Sequence, residues 1–130
     1  LKNFAMLHTA DGLRLTPAYD LVAAALYPEY QTFALAIGGA ANLTLDRIKP
    51  KHLTALGKSC GLTSDVISET VRDLDKRRKS AEEAVIEAAN KNDVDALGKD
   101  ILDLMERRWN GSCSLIGQYL STKRFDDDAE

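Results

Sequence analysis

Phe4-Ala5-Met6-Leu7-His8-Thr9-Ala10-Asp11-Gly12-Leu13-Arg14-Leu15-Thr16-Pro17 decides how this chain begins to fold. A short apolar run over residues 4–8 meets Thr9-Ala10-Asp11-Gly12, and Leu13 to Thr16 then alternates with the period of a strand. Asp-Gly between two such runs is the strongest short-range hairpin signal. Pro17 has no N–H for a ladder and ends the second run. A tight β-hairpin is expected at the head of the chain.

Downstream of it, Tyr19 to Leu26 is apolar and Ala-rich up to Tyr27-Pro28, which fits a helical turn or two or a packed loop. Phe33 to Ile37 is a third strand candidate stopped by Gly38-Gly39, and Leu43-Thr44-Leu45 is a weaker fourth. From residue 50 the period becomes helical. Pro50 suits a first turn, Leu53, Leu56 and Gly57 share a face, and Gly61 fits a C′ position. Thr63 or Ser64 caps a second helix carrying Val66, Ile67, Val71 and Leu74. Asp75 to Ser80 either continues that helix or breaks it, Ala81 to Ala89 is helix-forming, and Asn90-Lys91-Asn92 reads as a turn. A last stripe runs from Val94 through Leu97, Ile101 and Leu104 to Leu115, Ile116 and Tyr119. It resumes in register after Asn110-Gly111, so one continuous helix is expected.

The resulting fold class is α+β and mainly helical: a β-containing head over 1–45 and a helical body over 46–125, together one partial domain, with a disordered acidic tail over 126–130. A chain of 130 residues, 45% hydrophobic and 28% charged, is long enough for a core. Net charge is −3, and four of the 20 acids are Asp126, Asp127, Asp128 and Glu130; removing those four leaves 16 acids against 17 basic residues. Such a body is not a polyanion-binding domain, so no direct nucleic-acid contact is expected. No apolar run is long enough for a membrane span. Cys60 and Cys113 form neither a disulfide framework nor a metal cluster, and a reducing cytoplasm is the default. Opening on Leu1 without a signal segment, the chain is expected to be a piece of something longer.

Chemistry concentrates at the two ends of the hairpin. Lys2 and Asn3 precede it and Asp20 follows it, and a hairpin brings its ends together. An amide oxygen and a carboxylate are hard ligands that suit Mg²⁺, which keeps its waters and leans on a phosphate. Protein kinases use such a pair, a catalytic-loop Asn and an Asp beyond it. Both residue types are also ordinary turn formers.

Lys2-Asn3-Phe4, followed by Arg14-Leu15-Thr16-Pro17-Ala18-Tyr19-Asp20-Leu21, resembles the C-terminal part of the HipA-like toxin kinases, serine/threonine kinases of bacterial toxin–antitoxin systems. Their catalytic loop reads Asp-x-His-x-Lys-Asn-Phe and leads through a hairpin to Arg-Leu-x-Pro-x-Tyr-Asp. Phe33-Ala34-Leu35-Ala36-Ile37-Gly38-Gly39 and then Asp46-Arg47-Ile48 also look like the family, so the resemblance covers roughly residues 1–62. It implies that Asn3 and Asp20 are metal ligands, that Asp20 holds the nucleotide phosphates through the metal, and that Lys2 neutralises charge on the transferring group. It also implies that Tyr19 abuts the nucleotide, although packing on the hairpin accounts for Tyr19 equally well. ATP and Mg²⁺ are then the expected cofactors. The expected partners are a protein substrate, a DNA-binding antitoxin and the remaining, N-terminal portion of the kinase.

The departure from the family pattern is that the Asp and His of the loop fall before Leu1. The amino-terminal lobe has no counterpart either, since neither a Gly-x-Gly-x-x-Gly nor a Walker lysine occurs. The chain by itself is expected to be inactive. The alternative is a non-catalytic helical interaction module. His8 and His52 read as surface residues, and the basic run Lys76-Arg77-Arg78-Lys79 reads as a solvated face paired with Asp73, Asp75, Glu82 and Glu83. Trp109 reads as a helix-packing anchor.

Overall fold

The computed structural model describes residues 5–127, and side chains over 5–122. Met6–Thr9 (β1) pairs antiparallel with Gly12–Leu15 (β2) in the register Met6↔Leu15, Leu7↔Arg14, His8↔Leu13, Thr9↔Gly12. Ala10 and Asp11 form the reversal with ordinary backbone angles, and Gly12 alone takes the left-handed region at φ 104°. The Thr9 hydroxyl donates to the Gly12 carbonyl at 2.8 Å and accepts from the Asp11 N–H at 3.3 Å, which fastens the turn. Because side chains alternate across a strand, Met6, His8, Leu13 and Leu15 share one face.

The segment after the hairpin is a packed loop with a 3-10 turn at Ala24–Leu26. The third and fourth strand candidates do not become strands. They meet in a single bridge, Thr32↔Thr44, flanked by Phe33 N–H to the Leu43 carbonyl (2.9 Å) and Leu45 N–H to the Gln31 carbonyl (2.7 Å). The ladder cannot lengthen because the chain reverses at Gly38-Gly39 and bends again at Asn42, φ 54°. Ile37 and Ala40 exchange two backbone hydrogen bonds of 3.1 Å around that turn, and Gly38 and Gly39 both have positive φ (56° and 83°). Gly38 lies directly on the first helix of the body: a Cβ there would meet the His52 carbonyl oxygen and stand 2.9 Å from the Ala55 methyl.

The body comprises α1 (Pro50–Ser59), α2 (Ser64–Lys91), α3 (Asp95–Gly111) and α4 (Ile116–Asp127), with 3-10 turns at Leu45–Arg47 and Cys113–Leu115. Pro50 occupies the first turn of α1, where its missing N–H costs nothing. At the other end Gly61 takes φ 79°, with Gly61 N–H on the Lys58 carbonyl (2.9 Å) and Leu62 N–H on the Gly57 carbonyl (3.0 Å). Those paired bonds are a Schellman closure. The Thr63 hydroxyl caps α2 by accepting from Val66 N–H at 3.3 Å.

The polar stretch does not interrupt α2, which runs to Lys91 and is closed by Asn92, so the turn expected at 90–92 falls at 92–93. Ion pairs a helical turn apart line its middle: Asp73–Lys76 (2.9 Å), Asp75–Arg78 (3.6 Å), Arg78–Glu82 (3.3 Å) and Lys79–Glu83 (3.9 Å). The basic run is thus the solvated, paired face expected of it. Arg78 also lies 5.0 Å from the centre of the Trp109 ring, tying α2 to α3 and giving Trp109 a packing role.

The last apolar stripe, expected as one helix, is two. The backbone leaves the helical region at Ser112 (φ −145°, ψ −67°), whose buried hydroxyl donates to the Arg108 carbonyl at 2.7 Å. That break turns α4 back so that it packs on α1 and α2. Helix α4 runs on to Asp127, because no Gly or Pro after Gly117 stops it; residues 128–130 lie outside the described residues. The small core joins Ile67, Ile116 and Leu120, with Leu53, Val71 and Tyr119 packed against it. Close helix contacts rest on missing side chains: a Cβ on Gly98 would stand 2.5 Å from the Ala89 methyl, and one on Gly57 2.8 Å from Ile67 Cδ1.

Candidate functional site

The hairpin sets the geometry of the candidate site. Beyond the last paired residues, Thr16 N–H donates to the Ala5 carbonyl at 2.9 Å, so the ladder continues to the residue just after Phe4. The start of the first strand and the exit of the second therefore lie side by side, and Pro17 closes the ladder. Lys2 and Asn3, two of the candidate site residues, fall outside the described residues.

Asp20 lies four residues past Thr16 with a left-handed backbone, φ 53°, a conformation that Asp and Asn adopt more readily than most residues. This kink lies between the Thr16–Tyr19 segment and the loop ahead of Ala24. The Asp20 carboxylate is exposed to solvent, and Tyr19 beside it is 45% exposed. One carboxylate suffices for a Mg-nucleotide, since Mg²⁺ needs only one or two protein carboxylates with water and phosphate completing its shell. Among the described residues no group of three or more His, Cys, Asp or Glu side chains converges as an all-protein metal cage. His52 serves the fold: its Nδ1 accepts from Lys49 N–H at 3.1 Å at the start of α1.

Around Asp20 the head presents apolar side chains to solvent: Leu21 is 78% exposed, Val22 66% and Leu15 65%. Met6 and Leu13 share the exposed hairpin face with Leu15.

Sequence reasoning missed Arg108. An apolar groove of about 650 Å³ runs between the loop at Val22–Ala25, the Thr32–Phe33 and Leu45–Ile48 segments, and α3 at Leu104 and Arg108. Burial against this groove pulls the Arg108 guanidinium below its ordinary value, opposed by the nearby charge of Asp46. The nearby Thr44 hydroxyl, with help from its own backbone N–H and from the charges of Arg47 and Arg108, holds the Asp46 carboxyl below the usual 3.8. The signal for Arg108 is in the sequence: 97, 101, 104 and 108 follow one helical phase, so an arginine occupies the next apolar position.

The elements and the hairpin site together define an α+β, mainly helical unit with a two-stranded head. A model of the HipA-like C-terminal domain family matches residues 1–89, from before the hairpin to near the end of α2. The chain belongs to that family. Neither the curated proteins nor the solved structures contain a match.

Proposed function

We propose that this chain is the distal part of the large lobe of a HipA-like serine/threonine protein kinase. The observation that carries the reading is the family match over 1–89, which includes every residue of the candidate site. In this reading Asn3 and Asp20 hold Mg²⁺, which when bound neutralises the phosphates of ATP as the γ-phosphoryl passes to a protein hydroxyl. Lys2 supplies further positive charge beside the transferring group, and Tyr19 flanks the nucleotide. Such catalysis is mostly positioning and charge stabilisation, so few side chains need to carry it. In this reading a further residue, not among those named here, orients the attacking hydroxyl, and the chain by itself does not transfer phosphate. The exposed head around Leu15, Leu21 and Val22 is the contact face for the rest of the kinase. The whole protein works in the cytoplasm with a DNA-binding antitoxin. For the described residues, no helix is long and apolar enough to cross a membrane.

The test is Asp20→Ala in the longest natural form of the protein, with Mg-dependent ATP binding followed by calorimetry. Loss of binding with an unchanged melting temperature supports the assignment, and unchanged binding removes Asp20 from the metal site. Reading the coding sequence upstream of Leu1 is the complementary check, since the kinase reading requires His directly before Leu1 and Asp two positions before that His. The apolar head equally favours a second reading, a non-catalytic interaction module. Unchanged Mg-ATP binding together with a different upstream sequence would select it. Mg-ATP binding without phosphoryl transfer in the complete protein would point to a degenerate kinase.

A further inference from the structure

The groove between the head and α3 touches the contact face proposed above only at Val22, and the kinase reading gives its remaining walls no role. Its walls are apolar: Val22, Phe33, Leu45, Ile48 and Leu104 line it, with Arg108 as the cation among them. Among the described residues no carboxylate reaches salt-bridge distance of that guanidinium, and no described side chain accepts a hydrogen bond from it. The Ser112 hydroxyl, also at the groove, is already committed to the Arg108 carbonyl at 2.7 Å. Asp46 acts on Arg108 only at longer range. A partly exposed arginine on an apolar wall, with no ion-pair partner among the described residues, is a ready partner for an incoming anion.

We propose that this groove binds a small amphipathic monocarboxylate, an alkyl or aryl chain with one acid group, whose carboxylate is held by the Arg108 guanidinium. The volume of about 650 Å³ is in the range of small-molecule sites. A peptide backbone is a poorer occupant, because its N–H and C=O groups would meet apolar walls with almost nothing to pair with. A single charged head on an apolar tail needs one cation and little else. Asp46 weakens the site by opposing the ligand's charge, so the two residues act with opposite sign.

The experiment is calorimetric titration of the whole chain with dodecanoate and, as the uncharged control, dodecanol, both below micelle formation. Dodecanoate is expected to bind, with amide shifts at Val22, Phe33 and Leu104 by NMR. Arg108→Gln is expected to weaken dodecanoate roughly tenfold, the worth of one charged hydrogen-bonded contact, and to leave dodecanol unchanged. Asp46→Asn, at an exposed position, is expected to tighten dodecanoate, and it carries the test should Arg108→Gln fail to fold. Absence of dodecanoate binding overturns the proposal, as does equal loss for acid and alcohol, a tightening missing in Asp46→Asn, or shifts confined to the exposed hairpin face.

Discussion

Substituting Gly38 by Ala tests how the head is fastened to the body. The added methyl has two costs of separate origin. At φ 56° an L-residue accepts the left-handed region at about 1–2 kcal/mol. The Cβ also runs into the His52 carbonyl oxygen on α1 and the Ala55 methyl at 2.9 Å, and relieving such overpacking costs about 1–3 kcal/mol. The carbonyl belongs to a helix backbone and cannot swing aside as a side-chain end would, which puts the total at about 2–5 kcal/mol. Gly39→Ala is the control. Its φ of 83° is less hospitable to a side chain, yet a Cβ there meets nothing within 4 Å. Backbone strain alone therefore ranks Gly39→Ala as the worse substitution, whereas contact with α1 ranks Gly38→Ala worse. Urea unfolding of both variants, with amide exchange at Ile37 and Ala40 to detect local opening, decides between them. Gly39→Ala equal to or worse than Gly38→Ala in both readouts would refute the docking argument.

Ile116 is 2% exposed at the centre of the core, so Ile116→Ala is expected to cost about 2–5 kcal/mol by chemical denaturation. A double-mutant cycle on Arg78→Ala and Trp109→Phe should return a coupling of about 0.5–1 kcal/mol that survives high salt better than the neighbouring ion pairs do. The carboxyl of Asp73 is lowered by its hydrogen bond and charge pairing with Lys76, and that of Asp46 chiefly by Thr44. A lowered folded-state carboxyl stabilises above its unfolded value and loses that contribution as the pH falls. The melting temperature should hold above the usual value of 3.8 and decline below it. Asp73→Asn should flatten that decline.

What could be read from the residues was local chemistry. Asp11-Gly12 and Pro17 marked the hairpin, Pro50 and Gly61 bounded α1, and Thr63 capped α2, because each acts within a few positions of itself. The misreadings are tertiary. The stripe from Leu104 to Ile116 stays in helical phase through Gly111, yet Ser112 breaks it, and the return of α4 onto α1 is what the break permits. Phe33 to Ile37 has strand composition but no partner long enough to pair with it. Of the candidate site, the meeting of the hairpin's ends was legible from turn chemistry. Arg108 could be placed on the apolar phase of its helix, but its groove could not, since that depends on segments from the head folding over α3.

The length of α2 separates ancestry from folding. The family match stops at Ala89, two residues short of the helix's last residue, Lys91. A chain ended there would keep every family-matched position yet lose Ile116, Tyr119 and Leu120, half of the six side chains that form and line the core. It would also strip Gly98 from Ala89 and Trp109 from Arg78. The matched segment alone thus lacks half of the core, and α4 supplies the missing half.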